Sequence, residues 1–270
     1  MNQDGVEIVI PVFNQLSYTT QCLESLRKTG VADEKIIVIN NASTDSTAEF
    51  LALHPRVRAF NNETNVGCGP AWTQGAKLCR SKWIVILNND VVIPPRFFEN
   101  LYAFATEGAW DIVSPAMREG EMDYDLTAYA DEFMRAMSGV RRSGVAHGVC
   151  FMVHQRVFDR IGYFSNFGGY EDDDFFRRAR KAGYRIATTG RAFLHHFGSI
   201  TQKSIKEWAD RQEAIARRER YRKSTGQTWL PRKAMQLRDR LKGLWWRQNE
   251  SRRYGRTLFE TRLDGRSLWR

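Results

Sequence analysis

The stretch WIVILNND, from Trp83 to Asp90, places five apolar residues directly before three polar ones. The apolar run is far shorter than the roughly 20 residues that cross a membrane, and its length suits a strand that is buried on both faces. Asn88, Asn89 and Asp90 stand where that strand ends. Ligands of open α/β sheets bind beyond the carboxyl ends of the strands, so these polar side chains are candidates for a binding site.

The same alternation precedes this stretch along the chain. Short β-branched runs (VEIVIPVF, KIIVIN) alternate with amphipathic stretches (YTTQCLESLRKTG, AWTQGAKLCR). Strands between helices are typical of βαβ units, and the pattern predicts an α/β fold with a largely parallel sheet. Asn14 follows the first apolar run, and Asn40 and Asn41 follow the second. They join the candidate site, because parallel strands end at one edge of a sheet.

Composition predicts a folded chain with one main domain. Hydrophobic residues make up 42% of the 270 residues and charged residues 27%, close to globular averages. We expect one α/β domain over residues 1–201 and a smaller, mainly helical extension over residues 202–270. The segment 118–145 mixes acidic residues, Met and Tyr without a clean period, and we expect a loop or a short helix there.

The net charge of +10 is distributed unevenly. Residues 1–200 contain 21 Lys and Arg against 23 Asp and Glu, whereas residues 201–270 contain 20 against 8. Basic segments bind nucleic acids or anionic membranes, and Trp favours the headgroup region of a membrane. We expect the extension either to dock on a membrane or to pack on the domain or form an oligomer. The Trp residues in it are Trp208, Trp229, Trp245, Trp246 and Trp269.

Four cysteines are spread along the chain without a CxxC pair. The amino-terminal residues lack the basic start and the long apolar run of a secretory signal. Neither a disulfide framework nor a cysteine zinc site is expected, and a reducing cytoplasm fits the pattern best.

The run GYEDDDFFRRARKAGYRI, from Gly169 to Ile186, opens a predicted helix with four consecutive carboxylates. Moving a sugar from a nucleotide diphosphate to a hydroxyl requires a carboxylate base and a cation that neutralises the diphosphate. Asp90 is the carboxylate best placed to hold such an ion, because oxygen ligands suit Mg²⁺ and Mn²⁺. Both features have a structural alternative: Asp90 can cap a turn, and the acidic run can stabilise the start of the helix.

Six motifs, in this order, resemble those of family 2 glycosyltransferases with the GT-A fold, over about residues 6–201. They are IVIPVFNQ, INNASTDST, ETNVGCGPAWTQGAK, ILNNDVVIP, GYEDDDFFRRARKAGYRI and HHFGS. The resemblance implies a Rossmann-like nucleotide-binding domain with a mostly parallel mixed sheet. It also implies an inverting hexosyl- or deoxyhexosyltransferase that depends on Mn²⁺ or Mg²⁺.

The resemblance also assigns roles to single residues. Asp172 is implied to be the base that deprotonates the acceptor, with Glu171 and Asp174 in support. Asp90 and His196 are implied to hold the metal ion, and His195 is the alternative histidine. The residues implied to bind the nucleotide are Pro11, Phe13, Asn14, Asn40, Asn41, Asn65, Gly67, Gln74, Asn88 and Asn89.

Two positions depart from the family's pattern. Asn40 stands where the family usually has Asp, and an amide oxygen still accepts one hydrogen bond from a pyrimidine, so we favour UDP or dTDP donors. Asn88 replaces the first acidic residue of the DXD region, so we expect weak metal binding without nucleotide.

The expected function is therefore sugar transfer to a glycan or a lipid-linked glycan during cell-surface polysaccharide synthesis, in the cytoplasm or on the inner face of the membrane. A sugar nucleotidyltransferase is one alternative, but the segment Ile8–Asn14 lacks the glycine-rich loop and the basic residue that meet a triphosphate. A nucleic-acid binder is another, but it leaves the acidic run unexplained. We expect no nucleic-acid partner and leave the oligomeric state open.

Overall fold

Strand β1 (Val6–Val12) lies at the centre of a run of parallel strands in the computed structural model, between β2 (Ile36–Asn40) and β4 (Trp83–Leu87). The structure describes residues 5–198, 211–225, 229–263 and 266–269. β2 and β4 are buried along their whole length and β1 along nearly all of it. Near-continuous apolar sequence is what burial on both faces of a sheet requires.

The sheet is mixed, with the order β11-β10-β6-β8-β4-β1-β2-β3. The pairs β1–β2, β1–β4, β2–β3, β6–β9 and β6–β10 are parallel, and the β4–β8, β6–β8, β5–β9, β7–β9 and β10–β11 pairs are antiparallel. The remaining strands are β3 (Arg58–Asn61), β5 (Val91–Val92), β6 (Ile112–Gly120), β7 (Arg141–Ser143), β8 (Cys150–His154), β9 (Ile186–His196), β10 (Phe259–Leu263) and β11 (Arg266–Trp269). The α/β class predicted from the sequence is confirmed.

Helices cover both faces of this sheet, because successive residues of a strand point to opposite sides. Ile8 and Ile10 pack among buried residues of α1 and α4, whereas Val9 packs among those of α3, α6 and α7. The described helices are α1 (Leu16–Lys28), α2 (Thr47–Ala52), α3 (Cys68–Leu78), α4 (Phe97–Glu107), α5 (Leu126–Met137), α6 (Gln155–Ile161), α7 (Glu171–Lys181), α8 (Arg211–Ser224) and α9 (Trp229–Tyr254).

The segment 118–145 is more regular than the sequence suggested. It contains the end of β6, the 12-residue helix α5 and strand β7, rather than a loop or a short helix. Asp125 caps α5 by accepting a hydrogen bond from the Ala128 amide at 2.8 Å. Phe133 and Met137 are buried with Phe193 of β9. Only these few inward-facing residues follow the apolar spacing of a helix. The acidic and aromatic residues between them make that spacing hard to recognise in the sequence.

The C-terminal region contains strands in addition to the helices predicted for it. After α9, strand β10 adds to the sheet in parallel with β6, and β11 pairs with β10. Buried ion pairs support this contact: Arg118 donates to Glu260 at 2.9 Å, and Arg142 donates two hydrogen bonds to Glu250 at 2.8 and 2.7 Å. The expected domain boundary at Thr201 and the side chains of Trp208, Trp229 and Trp269 lie outside the part that the structure describes.

No helix within the described ranges combines the length and the apolar character needed to cross a membrane.

Removing one partner of a buried ion pair should destabilise the fold. We expect Glu250→Gln to lower the free energy of unfolding by about 3 kcal/mol, because it leaves the Arg142 guanidinium buried without its counter-charge. The matched control is Glu132→Gln, whose pair with Arg256 lies at the surface and should be worth less than about 1 kcal/mol. Chemical denaturation measures both values. Equal losses would show that the Arg142–Glu250 pair does not hold α9 and β10 on the sheet.

Candidate active site

Four of the predicted nucleotide-binding residues, Asn14, Asn41, Asn65 and Gly67, lie in the loops that follow β1, β2 and β3. The Asn14 side-chain oxygen accepts a hydrogen bond from the Thr44 amide at 2.7 Å. The Asn41 side-chain amide donates to Asn65 at 2.8 Å and to the Gly67 carbonyl at 3.2 Å. The asparagines therefore fix the conformation of three loops against one another at the carboxyl edge of the sheet.

Asn40 is buried below these loops. Its amide donates to the Asn61 side chain at 2.7 Å, and its oxygen accepts from the Ser43 amide at 3.1 Å. An amide oxygen has two lone pairs, so it can accept from a second donor as well. The chemistry expected of Asn40 toward a nucleobase is thus compatible with its contacts.

Asn89 has a different environment from the other candidates. Its side chain is buried and donates to the Thr19 hydroxyl on α1 at 2.9 Å, so it holds the end of β4 against that helix. Asn88, Pro11, Phe13 and Gln74 are half-buried. Their predicted contacts with a nucleotide remain predictions.

Asp90 and His196 meet because β5, which follows Asp90, pairs with the end of β9. The His196 Nε2 atom lies 3.4 Å from the Asp90 Oδ1 atom, and both side chains are buried. Two ligand atoms that each lie about 2.1 Å from an ion, with a right angle between them at the ion, are about 3 Å apart. The separation of the Nε2 and Oδ1 atoms therefore fits a divalent ion. Within the described residues no group of three or more His, Cys, Asp or Glu side chains could hold an ion alone. Two protein ligands would leave the remaining positions to water and diphosphate oxygens.

Glu119 on β6 is a site residue that the sequence analysis missed. Its Oε2 atom lies 3.4 Å from the Nδ1 atom of His196. Burial lowers the pKa of His196, but hydrogen bonds and charge interactions with Asp90 and Glu119 outweigh burial and raise that pKa to about 9. A divalent ion would therefore have to displace a proton from His196.

His195 lies on the opposite side of β9 from His196, because side chains alternate along a strand. Its Nδ1 atom is 2.9 Å from the Tyr124 hydroxyl. Burial and the charge of the neighbouring His196 together lower the pKa of His195 to about 4. Of the two histidines, His196 is the one directed at Asp90.

The acidic run begins α7, and its members have different surroundings. Glu171 is buried and accepts hydrogen bonds from the Gly168 and Gly169 amides, each at 2.7 Å, so it fixes the preceding loop. Asp174 is buried and accepts from Arg178 at 2.8 Å and from Ser165 at 2.7 Å. Both support the start of the helix, and each is occupied by its own partners.

Asp172 is half-buried in the same turn of α7. Burial and the charge of Asp173 together raise its pKa to about 6, so it can take up a proton near neutral pH. Its carboxylate lies against the backbone of Gly148, where a Cβ atom would come within 2.3 Å of an Asp172 oxygen. Only glycine at that position leaves room for this carboxylate.

Cys68, the first residue of α3, connects the acidic run with the proposed metal ligands. Its thiol is accessible to solvent, yet the protein around it raises its pKa by desolvation, as expected in the wall of a cleft. The charges of Glu171, Asp172 and Asp90 raise the pKa of Cys68 further. All three carboxylates therefore lie within electrostatic reach of the Cys68 side chain.

Tyr221 on α8 was also missed from the sequence. Its ring stacks on that of Tyr170, with centroids 4.9 Å apart and planes 4° from parallel, and it contacts Phe167 at 5.5 Å. Helix α8 therefore covers the loop that leads into the acidic run. Its sequence is so strongly charged that no apolar period indicates this contact.

Comparisons with known proteins agree with this geometry. Residues 7–162 match the family model for glycosyl transferase family 2. The glycosyltransferase GlyG of Streptococcus pneumoniae is 27% identical over 112 residues, which cover 40% of this chain and 37% of GlyG. The chain therefore spans little more than a third of that relative's length.

Two solved structures share the fold. TarS of S. aureus in complex with UDP-GlcNAc has a TM-score of 0.56 at 17% identity, covering 71% of this chain and 58% of the other. The mannosyltransferase PcManGT of Pyrobaculum calidifontis, in complex with GDP-Man and Mn²⁺, has a TM-score of 0.55 at 18% identity, covering 71% and 56%.

The family model covers more than half of the chain. This chain belongs to glycosyl transferase family 2.

Proposed function

We propose that this chain transfers a sugar from a nucleoside diphosphate to an acceptor hydroxyl with inversion, during cell-surface polysaccharide synthesis. The observation that carries the proposal is the presence of two carboxylates, Asp172 and Asp90, within electrostatic reach of Cys68. One carboxylate there has a pKa raised to about 6, and the other faces a histidine at 3.4 Å. A base with a pKa near the working pH and a site for a divalent ion are the two requirements of this reaction.

In this mechanism Asp172 accepts the proton of the acceptor hydroxyl while the hydroxyl oxygen attacks the anomeric carbon. The bond between that carbon and the diphosphate oxygen breaks on the opposite face, so a single displacement inverts the configuration. Glu171 and Asp174 hold the backbone at the start of α7, which keeps the Asp172 carboxylate in place. A Mn²⁺ or Mg²⁺ ion held by Asp90 and His196 would neutralise charge on the leaving diphosphate.

UDP or dTDP is the proposed carrier of a hexosyl or deoxyhexosyl group. The N3–H of a pyrimidine offers one donor, which the oxygen of Asn40 can accept beside its bond to Ser43. The structural neighbour TarS is described in complex with UDP-GlcNAc, which supports a uridine donor, whereas PcManGT is described with GDP-Man. A guanine edge presents two adjacent donors, which a single amide serves less well.

The acceptor is proposed to be a glycan or a lipid-linked glycan, met in the cytoplasm or on the inner face of the membrane. The nucleotidyltransferase and nucleic-acid-binding alternatives lack support from the site. The site contains carboxylates instead of a basic loop, and the family match extends over residues 7–162, which include strands β2, β3 and β4.

Replacing the base should abolish chemistry and spare binding. We expect Asp172→Asn to bind donor like wild type and to lose transfer by a factor on the order of 10² to 10⁴. Release of nucleoside diphosphate from a panel of UDP-, dTDP- and GDP-sugars measures the rate, and calorimetry measures donor binding. The control is Asp173→Asn, which removes an exposed neighbouring carboxylate and should keep most activity. Normal transfer by Asp172→Asn, with loss in Glu171→Gln or Asp174→Asn, would reassign the base.

The pH dependence should report the same carboxylate. Asp172 must be deprotonated to act. At a Mn²⁺ concentration that saturates the enzyme across the pH range, so that the proton of His196 does not limit the rate, we expect kcat/KM to fall as the pH drops below about 6, where the raised pKa of Asp172 lies, and to level off above that pH. Asp173→Asn removes the nearby negative charge, so it should lower the pKa of Asp172 and move the acidic limb to lower pH. A rate that is constant or rises on acidification would exclude Asp172 as the base.

The metal site should be detectable by binding as well as by activity. We expect Asp90→Ala to abolish transfer and His196→Ala to raise the Mn²⁺ concentration needed for half-maximal rate. Calorimetric titration of Mn²⁺ in the presence of UDP should show weaker binding for both variants. The control His54→Gln removes a histidine that contacts Phe50 and should change neither value. Normal turnover of Asp90→Ala and His196→Ala at low Mn²⁺ would refute the ligand assignment.

A further inference from the structure

Helix α9 carries an apolar stripe that is exposed among the residues that the structure describes. It consists of Leu237, Leu241, Leu244 and Trp245, whose exposed fractions are 58%, 56%, 39% and 61%. Isolated exposed apolar residues are common on protein surfaces, but a contiguous row of large ones marks an interaction surface. The function of this stripe is not accounted for by sugar transfer.

The stripe faces outward because the other side of the helix holds it to the sheet. Successive helical residues are rotated by about 100°, which places the four stripe residues within an arc of about 100°. Trp246 and Glu250 lie on the opposite side. Glu250 is buried in its ion pair with Arg142, and the Arg142 guanidinium lies 5.3 Å from the Trp246 ring. The stripe therefore projects away from the protein on a helix whose orientation is fixed.

Basic side chains border the stripe. Residues 237–254 contain six Lys and Arg, all exposed, against two carboxylates. Of those two, Glu250 is buried with Arg142, and Asp239 pairs with Arg238. The exposed basic residues are Arg238, Arg240, Lys242, Arg247, Arg252 and Arg253. Lys242 and Arg253 lie nearer to Trp246, and the Lys242 Nζ atom is 4.5 Å from the Trp246 ring. The other four border the stripe, so the surface combines an apolar centre with a positively charged margin.

We propose that this surface of α9 docks on an anionic lipid membrane. The Leu and Trp side chains enter the boundary between headgroups and acyl chains, and the Arg and Lys side chains contact lipid phosphates. Charge favours this occupant over a second copy of the chain, because two such faces would bring their positive margins together. It also favours lipid over nucleic acid, which would leave the leucines in water. None of the stripe residues is a proposed catalytic, metal-binding or nucleotide-binding residue, so the proposal does not depend on the reaction.

Co-sedimentation with vesicles tests the proposal on the full chain. Truncation is unsuitable, because it would remove the buried partners of Arg118 and Arg142. We expect wild type to sediment with phosphatidylcholine vesicles containing about one third phosphatidylglycerol at about 0.1 M salt, and much less at about 0.5 M salt or with phosphatidylcholine alone. Equal sedimentation with both kinds of vesicle, or none with either, would overturn the proposal.

Matched variants separate the stripe and its margin from general effects. Leu241→Ser should lower the partition coefficient by about tenfold, whereas Leu53→Ser, at a residue 79% exposed elsewhere on the protein, should not change it. A triple variant tests the basic margin: Arg240→Gln, Arg247→Gln and Arg252→Gln combined. Its partition coefficient should fall on the order of 10²-fold, since each basic residue contributes a factor of about five. The control is a second triple variant, Lys28→Gln, Arg56→Gln and Arg160→Gln, which removes the same charge from the catalytic domain. Its partition coefficient should fall much less. Controls that lose as much as the α9 variants would overturn the proposal.

Sedimentation velocity without lipid tests the competing occupant. If α9 faces lipid, wild type and Leu241→Ser should show the same molecular mass. A wild-type dimer that Leu241→Ser converts to a monomer would assign the stripe to a second copy and overturn the lipid proposal. Nucleotide release by Leu241→Ser should equal that of wild type, whatever the result with vesicles. The docking proposal and the proposed reaction can therefore fail independently, and the two failures can be distinguished.

Discussion

The parallel pairing of β1 with β2 and β4 is the constraint on which the candidate site depends. It brings the ends of three strands, which are far apart in sequence, to one edge of the sheet. The asparagine network between the loops and the turn that contains Asp90 both start from that edge. Because the strands are apolar on both faces, their positions are fixed by the core rather than by the polar residues at the edge. A polar substitution there can change chemistry at small cost to the fold.

Neighbouring residues of the same type perform different tasks because secondary structure turns them in different directions. His195 and His196 occupy opposite sides of β9, and only His196 faces Asp90. Along α7 the same principle separates the carboxylates: Glu171 and Asp174 are held by hydrogen bonds, whereas the pKa of Asp172 is raised by burial and by its neighbour. The local field of the protein, rather than the residue type, decides which carboxylate is suited to take a proton.

The sequence was sufficient for features that depend on local pattern. The central strands, the polar residues at their ends and the acidic start of α7 were all predicted, because burial periodicity and motif spacing are properties of short segments. Glu119, Tyr221 and strand β10 were not predicted. Each enters the structure through contacts across long stretches of chain, such as the 142 residues between Arg118 and Glu260. Pairing of that kind leaves no period in the sequence, and the charged composition of α8 concealed its aromatic contact.

The parallel pairing of β10 with β6 also affects how the protein is made. During synthesis on the ribosome, β6 emerges long before Phe259–Leu263 exist, so the end of β6 that pairs with β10, Met117–Gly120, lacks that strand while the intervening chain is translated. Arg118 lacks its carboxylate for the same period. An open strand edge can pair with another nascent chain, so this interval is the time at which aggregation is most dangerous. Codon choice and chaperone supply over the C-terminal region should therefore influence the yield of active protein more than equal changes near the amino terminus.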